Sequence, residues 1–155
     1  MAPEMEVLLV EDNPADLELT LYELRHRHLA NAIHVARDGE KALEFLFGGD
    51  GSQSLSVKLV LLDVRLPKVD GLEVLRSIRS NERTKTLPVV MLTASKEERD
   101  LLESYHLGVN AYMRKPVDFG DFRRIVQQIG MSWLLINEVA AIRVSPLIPS
   151  GVTAP

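Results

Sequence analysis

The sequence predicts an α/β fold: a doubly wound parallel sheet of five strands with helices on both faces. Three observations carry that expectation. Short apolar runs of the kind buried on both faces recur at Val7–Val10, Ile33–Ala36, Leu59–Leu62, Val89–Leu92 and Ala111–Met113. Most of the segments between them carry apolar residues at helical spacing. The resulting strict alternation of strand and helix calls for parallel strands joined by right-handed crossovers.

Each element has a local reason. Val7–Val10 is followed by Asn13-Pro14, with Asn as the cap and Pro at the first helical position, where a missing N–H costs nothing. Leu17, Leu21, Leu24 and His28 then define an amphipathic helix over 14–28. The second strand is Ile33–Ala36, and Asp38 caps a helix with Ala42, Leu43, Leu46 and Phe47 that stops at Gly48-Gly49. Residues 50–56 read as a loop. The third strand, Lys58–Asp63, leads to a loop with Pro67, and Asp70 with Glu73 forms a capping box for the helix Leu72–Ser80. Pro88 opens the fourth strand, Val89–Thr93. Ser95 with Glu98 starts a helix to about Leu107 that Gly108 ends. The fifth strand, Ala111–Arg114, precedes Lys115-Pro116, and Asp118 caps a final helix through Phe122, Ile125, Val126, Ile129 and Trp133.

After about Asn137 the composition shifts to prolines and small residues, which rules out another regular helix. The chain therefore divides into a main domain over 1–137 and a C-terminal extension over 138–155, a candidate dimerisation arm. The final helix has more apolar residues than one buried stripe uses. Ile125, Val126, Ile129 and Trp133 suffice for the core. Phe119, Met131, Leu134 and Leu135 need another partner, either the tail folding back or a second copy of the chain. A homodimer through the last helix and the tail, with Ile142, Val144, Leu147 and Ile148, is the favoured expectation.

Composition removes several function classes. The length of 155 residues suits one domain with a proper core. A net charge of −4 with no Lys/Arg cluster argues against nucleic acid as a partner. The absence of cysteine excludes disulfides, thiolate metal sites and a cysteine nucleophile. The first apolar run is too short for a signal segment, and no stretch approaches the roughly 20 residues that span a bilayer. The expectation is a cytoplasmic protein with neither nucleic-acid nor membrane partners. His26, His28, His34 and His106 show no metal-ligand spacing and read as surface or boundary residues.

Chemistry concentrates at the carboxyl ends of the strands, which share one edge in a parallel sheet. Glu11-Asp12 follows the first strand, Asp63 the third, Thr93 the fourth and Lys115 the fifth. Taken singly, each has an ordinary reading as a cap, a solvated loop residue or a structural hydroxyl. Asn13 and Ser95 already serve as caps, however, so Asp12 and Thr93 are not needed for that duty. Together the carboxylates suit Mg²⁺, which takes one or two of them plus phosphate oxygens and waters. Lys115 adds a mobile cation and Thr93 a hydroxyl donor. The reaction class that uses all of these is phosphoryl transfer to a carboxylate. Asp63 is the best nucleophile because it ends the most apolar run, that of the central strand.

These residues resemble a known family. Glu11-Asp12-Asn13, Asp63 with Leu66-Pro67 and Asp70-Gly71, Thr93-Ala94-Ser95, and Tyr112 followed by Lys115-Pro116 are similar to the receiver domain of two-component response regulators. The resemblance covers about residues 5–134. Within the family, Val10–Asp16, Thr93–Lys96, Lys115–Asp118 and Trp133-Leu134 resemble the stand-alone regulators paired with phytochrome histidine kinases. The resemblance implies a flavodoxin-like sheet with strand order 2-1-3-4-5. It implies that Asp63 accepts a phosphoryl group from a kinase phosphohistidine. Asp12, Asp63 and the backbone carbonyl of Arg65 then bind Mg²⁺, with Glu11 acting through water. Thr93 and Lys115 grip the phosphoryl oxygens, and Ala94 leaves them room. Tyr112 changes rotamer as Thr93 moves, and the Lys115–Pro116 bond is cis. The cognate histidine kinase, a phytochrome by the finer match, docks at the first helix and the Pro116-Val117 loop.

Arg65, two residues after the acceptor, is either a solvated loop cation or a group that tunes the lifetime of the phosphorylated state. No output domain follows, so signalling through protein contacts is expected. The protein is then a phosphoacceptor switch, not an enzyme beyond self-phosphorylation and autodephosphorylation. Two other readings compete. A dehalogenase-like phosphatase needs a second Asp two residues after the nucleophile, where this chain has Arg65. A degenerate receiver acting as a constitutive binding module lacks site residues, whereas this chain has them all.

Overall fold

The computed structural model describes residues 6–26, 32–48, 57–94, 97, 108–128 and 143–146. The chain alternates β1 (Glu6–Val10), α1 (Pro14–His26), β2 (Ala32–Ala36), α2 (Gly39–Phe47), β3 (Leu59–Asp63), α3 (Gly71–Ser80), β4 (Val89–Thr93), β5 (Ala111–Arg114), α4 (Phe119–Gln128) and β6 (Arg143–Pro146). All pairings are parallel, in the order β5-β4-β3-β1-β2-β6. Read from β2, the five expected strands stand in the order 2-1-3-4-5. The sheet has one strand more than expected. β6 lies in the extension and extends the sheet at β2, with Ala32 opposite Arg143 and Val35 opposite Pro146. Pro146 cannot donate a ladder hydrogen bond, which an edge position tolerates.

Alternation along the strands builds two cores. Val7 and Leu9 of β1 join Leu59, Leu61, Val90 and Leu92 on one face, against Leu24 of α1 and Phe122 of α4. Leu8 and Val10 join Val60, Leu62 and Met91 on the other, against Leu46 of α2 and Val74, Leu75 and Ile78 of α3. This two-sided burial is why the strands read as unbroken apolar runs and not as alternating ones.

Caps follow the sequence closely. Asn13 accepts from the Asp16 amide at 3.0 Å, Asp38 from Lys41 at 2.7 Å, Asp70 from Leu72 at 3.0 Å, and Asp118 from Gly120 at 2.8 Å. Two expectations are corrected. Phe119 is not a surplus apolar residue: it is buried in the first core, with its ring centroid 5.6 Å from that of Phe122. It is the first residue of the helix and stands three positions before Phe122, so it opens the same buried stripe. Glu73 pairs with Arg76 in the next turn, and Asp70 carries the cap. Gly108 has φ +75°, which suits a helix stop. Apart from Glu97, the helix expected over 95–107 lies outside the described residues, as do residues 27–28 of the first helix and Ile129, Met131, Trp133, Leu134 and Leu135. So do Ile142, Leu147, Ile148 and His106.

The loop after β3 is held tightly against its neighbours. A Cβ on Gly71 would sit 2.1 Å from the Asp63 carbonyl oxygen, and one on Gly39 would sit 1.8 Å from that of Val69. Only glycine lets the starts of α2 and α3 approach this loop so closely.

Candidate functional site

Four strand ends meet at one edge of the sheet. Glu11, immediately after β1, is 1% exposed, and its amide donates to the Ala36 carbonyl at 3.0 Å. Asp12 is exposed. Asp63 closes β3 and is buried. Its Oδ1 accepts from the Arg65 amide at 3.2 Å, and its Oδ2 accepts from Lys115 Nζ at 2.9 Å. Lys115 follows β5, and its own amide is pinned to the Thr93 carbonyl at 2.8 Å. The Lys115–Pro116 bond is cis.

Lys115 is the hub. Besides Asp63, its Nζ donates to Glu11 Oε1 at 3.0 Å and reaches Asp16 Oδ2 at 3.0 Å. Burial works against the ammonium's charge, but the hydrogen bonds to Asp63, Glu11 and Asp16 outweigh it and hold its pKa above the ordinary lysine value. Glu11 goes the opposite way to a usual carboxylate. Burial, then the hydrogen bond and charge of Asp63, raise its pKa to about 8 against the pull of Lys115.

Thr93 is buried, and its hydroxyl faces the Met113 carbonyl across the β4–β5 pair at 3.4 Å. In this conformation it donates along the sheet, not towards Asp63. Ala94 is exposed beside it. Tyr112 is half-buried and packs against the second core, and Arg65 is exposed. The edge thus gathers Glu11, Asp63 and Lys115 in direct contact, with Thr93 tied to the same edge through the Lys115 backbone.

Two residues with no assigned role join the site. Asp16 stands in the first turn of α1, four positions after Asp12, and its partner Lys115 lies at a distant strand end, which no local pattern reports. Arg37 follows β2, and its Nη2 donates to the Asp12 backbone carbonyl at 3.0 Å. Nothing local in the sequence marks that contact.

The donor set suits a hard cation. Among the described residues no three His, Asp or Glu side chains close into a ready-made metal cage. Mg²⁺ does not require one, because it keeps several waters and takes few carboxylates. The Oε2 of Glu11 is buried with no hydrogen-bond partner among the described residues, an oxygen in want of a positive neighbour.

Residues 7–127 match the model of the response regulator receiver domain. The chain belongs to this family. The receiver is 41% identical over 133 residues to response regulator Rcp1 of Synechocystis sp., covering 85% of this chain and 90% of Rcp1. The Mn²⁺-bound structure of Rcp1 matches with TM-score 0.66 at 39% identity, over 88% of this chain and 99% of that one. The structure of the bacteriophytochrome response regulator AtBRR matches with TM-score 0.78 at 50% identity, over 88% of this chain and all of its own. A receiver domain of the sensor histidine kinase PA1611 from Pseudomonas aeruginosa has a magnesium ion in its active site cleft. It matches with TM-score 0.67 at 30% identity, over 81% of this chain and 96% of that one. Membership makes this receiver a two-component signalling protein and implies phosphoryl acceptance.

Proposed function

We propose that Asp63 is the residue that accepts the phosphoryl group, from a histidine kinase phosphohistidine and with Mg²⁺ bound. The observation that carries this is the contact of the part-buried Lys115 Nζ with the buried Asp63 Oδ2 at 2.9 Å. A carboxylate oxygen of Asp63 attacks phosphorus, the bond from phosphorus to the imidazole nitrogen breaks, and the imidazole leaves with that electron pair. Lys115 meets the charge that the new phosphoryl oxygens bring, and Thr93 turns its hydroxyl from Met113 to the same group. Ala94 leaves space for it. Tyr112 follows Thr93 and alters the β5 surface. Asp12, Asp63 and the Arg65 carbonyl would hold Mg²⁺, with Glu11 acting through water. When bound, the metal neutralises charge on the transferring group.

The protein is a switch whose output is a changed set of protein contacts, and its chemistry is limited to gaining and losing the phosphoryl group. The similarity to AtBRR supports phytochrome signalling, in the cytoplasm, with α1 and the Pro116-Val117 loop as the docking surface. Leu19 and Tyr22 are the exposed large apolar residues of α1, which suits that role. The reading includes a homodimer through the last helix and residues 138–155. In the structure Arg143–Pro146 pairs with β2 of its own chain, which is the tail folding back, so the dimer reading is supported by the apolar surplus of the last helix and not by β6.

Incubation with acetyl phosphate and Mg²⁺, followed by intact-mass measurement, tests the acceptor. The wild type is expected to gain one phosphoryl group and Asp63→Asn none. No gain in either would remove the reading. For the dimer, light scattering of the full chain at micromolar concentration should give twice the chain mass, and a monomer mass overturns it.

A further inference from the structure

We propose that Asp16 is a positioning residue for Lys115. It occupies one of the three ammonium N–H groups in the unphosphorylated protein and yields it to the phosphoryl group on Asp63. The inference rests on the reading of Asp63 as acceptor and Lys115 as phosphoryl ligand.

A lysine ammonium has three donors and no more. Here three carboxylates from three different elements take them: Glu11 after β1 at 3.0 Å, Asp16 in the first turn of α1 at 3.0 Å, and Asp63 at the end of β3 at 2.9 Å. A phosphoryl oxygen on Asp63 therefore finds Lys115 fully engaged, and one contact must open. Glu11 is the worst candidate to release. It is 1% exposed, its Oε2 already lacks a partner among the described residues, and losing Lys115 would leave both of its buried oxygens without a protein donor. Asp63 carries the incoming group itself. The Asp16 side chain is 33% exposed, so water can take over its hydrogen bond. Its backbone is fixed independently by the Asn13 side chain at 3.0 Å, so releasing the carboxylate leaves the helix start intact.

Asp16 thus opposes phosphorylation twice, by competing for an N–H and by placing a negative charge beside an incoming anion. Neutralising it in place removes both effects. At this separation, in a partly buried pocket, one charge changes the rate on the order of three- to tenfold.

The test follows phosphorylation of the full chain by phosphoramidate at saturating Mg²⁺, using intact mass against time and donor concentration. Asp16→Asn and Asp16→Ala should raise the maximal rate, with little change in melting temperature. Asp16→Glu, which keeps the charge on a longer arm, should fall back towards the wild-type rate. Glu18→Gln, which removes an exposed carboxylate from the same helix, should leave it unchanged. Phosphorylation of Asp16→Asn no faster than wild type, or equal acceleration by Glu18→Gln, overturns the inference while leaving Asp63 as acceptor. A wild type that gains no phosphoryl group removes the underlying reading, and this one with it.

Discussion

Glu11 Oε1 accepts from Lys115 Nζ at 3.0 Å, while Glu11 Oε2 is buried with no hydrogen-bond partner among the described residues. Half of this carboxylate is neutralised and half is stranded. Burial and the adjoining Asp63 accordingly raise its pKa from 4.5 to about 8. The folded protein then holds a proton on Glu11 that the unfolded chain has already lost, throughout the interval between those values. Stability of the metal-free protein should fall as pH rises from about 4.5 to about 8. Denaturant unfolding in EDTA across that range measures it. Glu11→Gln should remove most of the slope, and an undiminished slope in that variant would assign it elsewhere. A divalent cation should raise the melting temperature more above pH 8 than at pH 6, because proton and metal compete for the same carboxylate.

Arg37 anchors the other carboxylate by its backbone, through the 3.0 Å bond from Nη2 to the Asp12 carbonyl. The turn after β1 is otherwise exposed over 12–15, so this bond limits where Asp12 can point. Arg37→Ala should weaken Mg²⁺ binding roughly three- to tenfold, about 0.7–1.4 kcal/mol, with a small effect on melting. Isothermal titration with Mg²⁺ measures it, and unchanged affinity would show that the turn holds itself.

Arg79 binds the end of the molecule opposite the site. From α3 it donates to the carbonyls of Gly108 at 2.8 Å, Leu87 at 2.7 Å and Lys85 at 3.3 Å, and to Asn110 Oδ1 at 3.0 Å. The same Asn110 oxygen accepts from the Val89 amide at 2.8 Å, so the guanidinium ties α3 to the starts of β4 and β5. Arg79→Ala should cost about 1–2 kcal/mol in urea unfolding, because it removes four contacts at once and leaves the part-buried Leu87 carbonyl without its donor. Arg79→Lys should recover less than half, since one ammonium cannot span the same acceptors. A loss below about 0.5 kcal/mol would mean that water replaces the fork.

Arg65 holds Asp63 through its backbone amide, and its side chain is exposed. Truncation therefore leaves that hydrogen bond in place and removes the guanidinium from the loop that follows the acceptor. Arg65→Ala should keep phosphorylation and shorten the phosphorylated lifetime about threefold, near 0.65 kcal/mol, by opening the approach of water. Decay of the phosphorylated mass over time reads it directly, and an unchanged decay rate refutes the tuning role.

The sequence by itself determined the strands, because a strand buried on both faces must be apolar along its whole length, as Leu59–Leu62 is. It determined the caps of α1, α2, α3 and α4, since these bonds span two or three residues. It also placed Glu11, Asp12, Asp63, Thr93 and Lys115 at one edge, because parallel order alone puts strand carboxyl ends together. What tertiary structure decided is which side chain meets which. Glu11 and Lys115 stand 104 positions apart, and no local pattern reports that Asp16 shares the same ammonium or that Arg37 reaches Asp12. Phe119 entered the core, and β6 entered the sheet beside β2, for the same reason. Burial and edge pairing depend on neighbours that only the folded chain supplies, whereas periodicity records only which face of its own element a residue occupies.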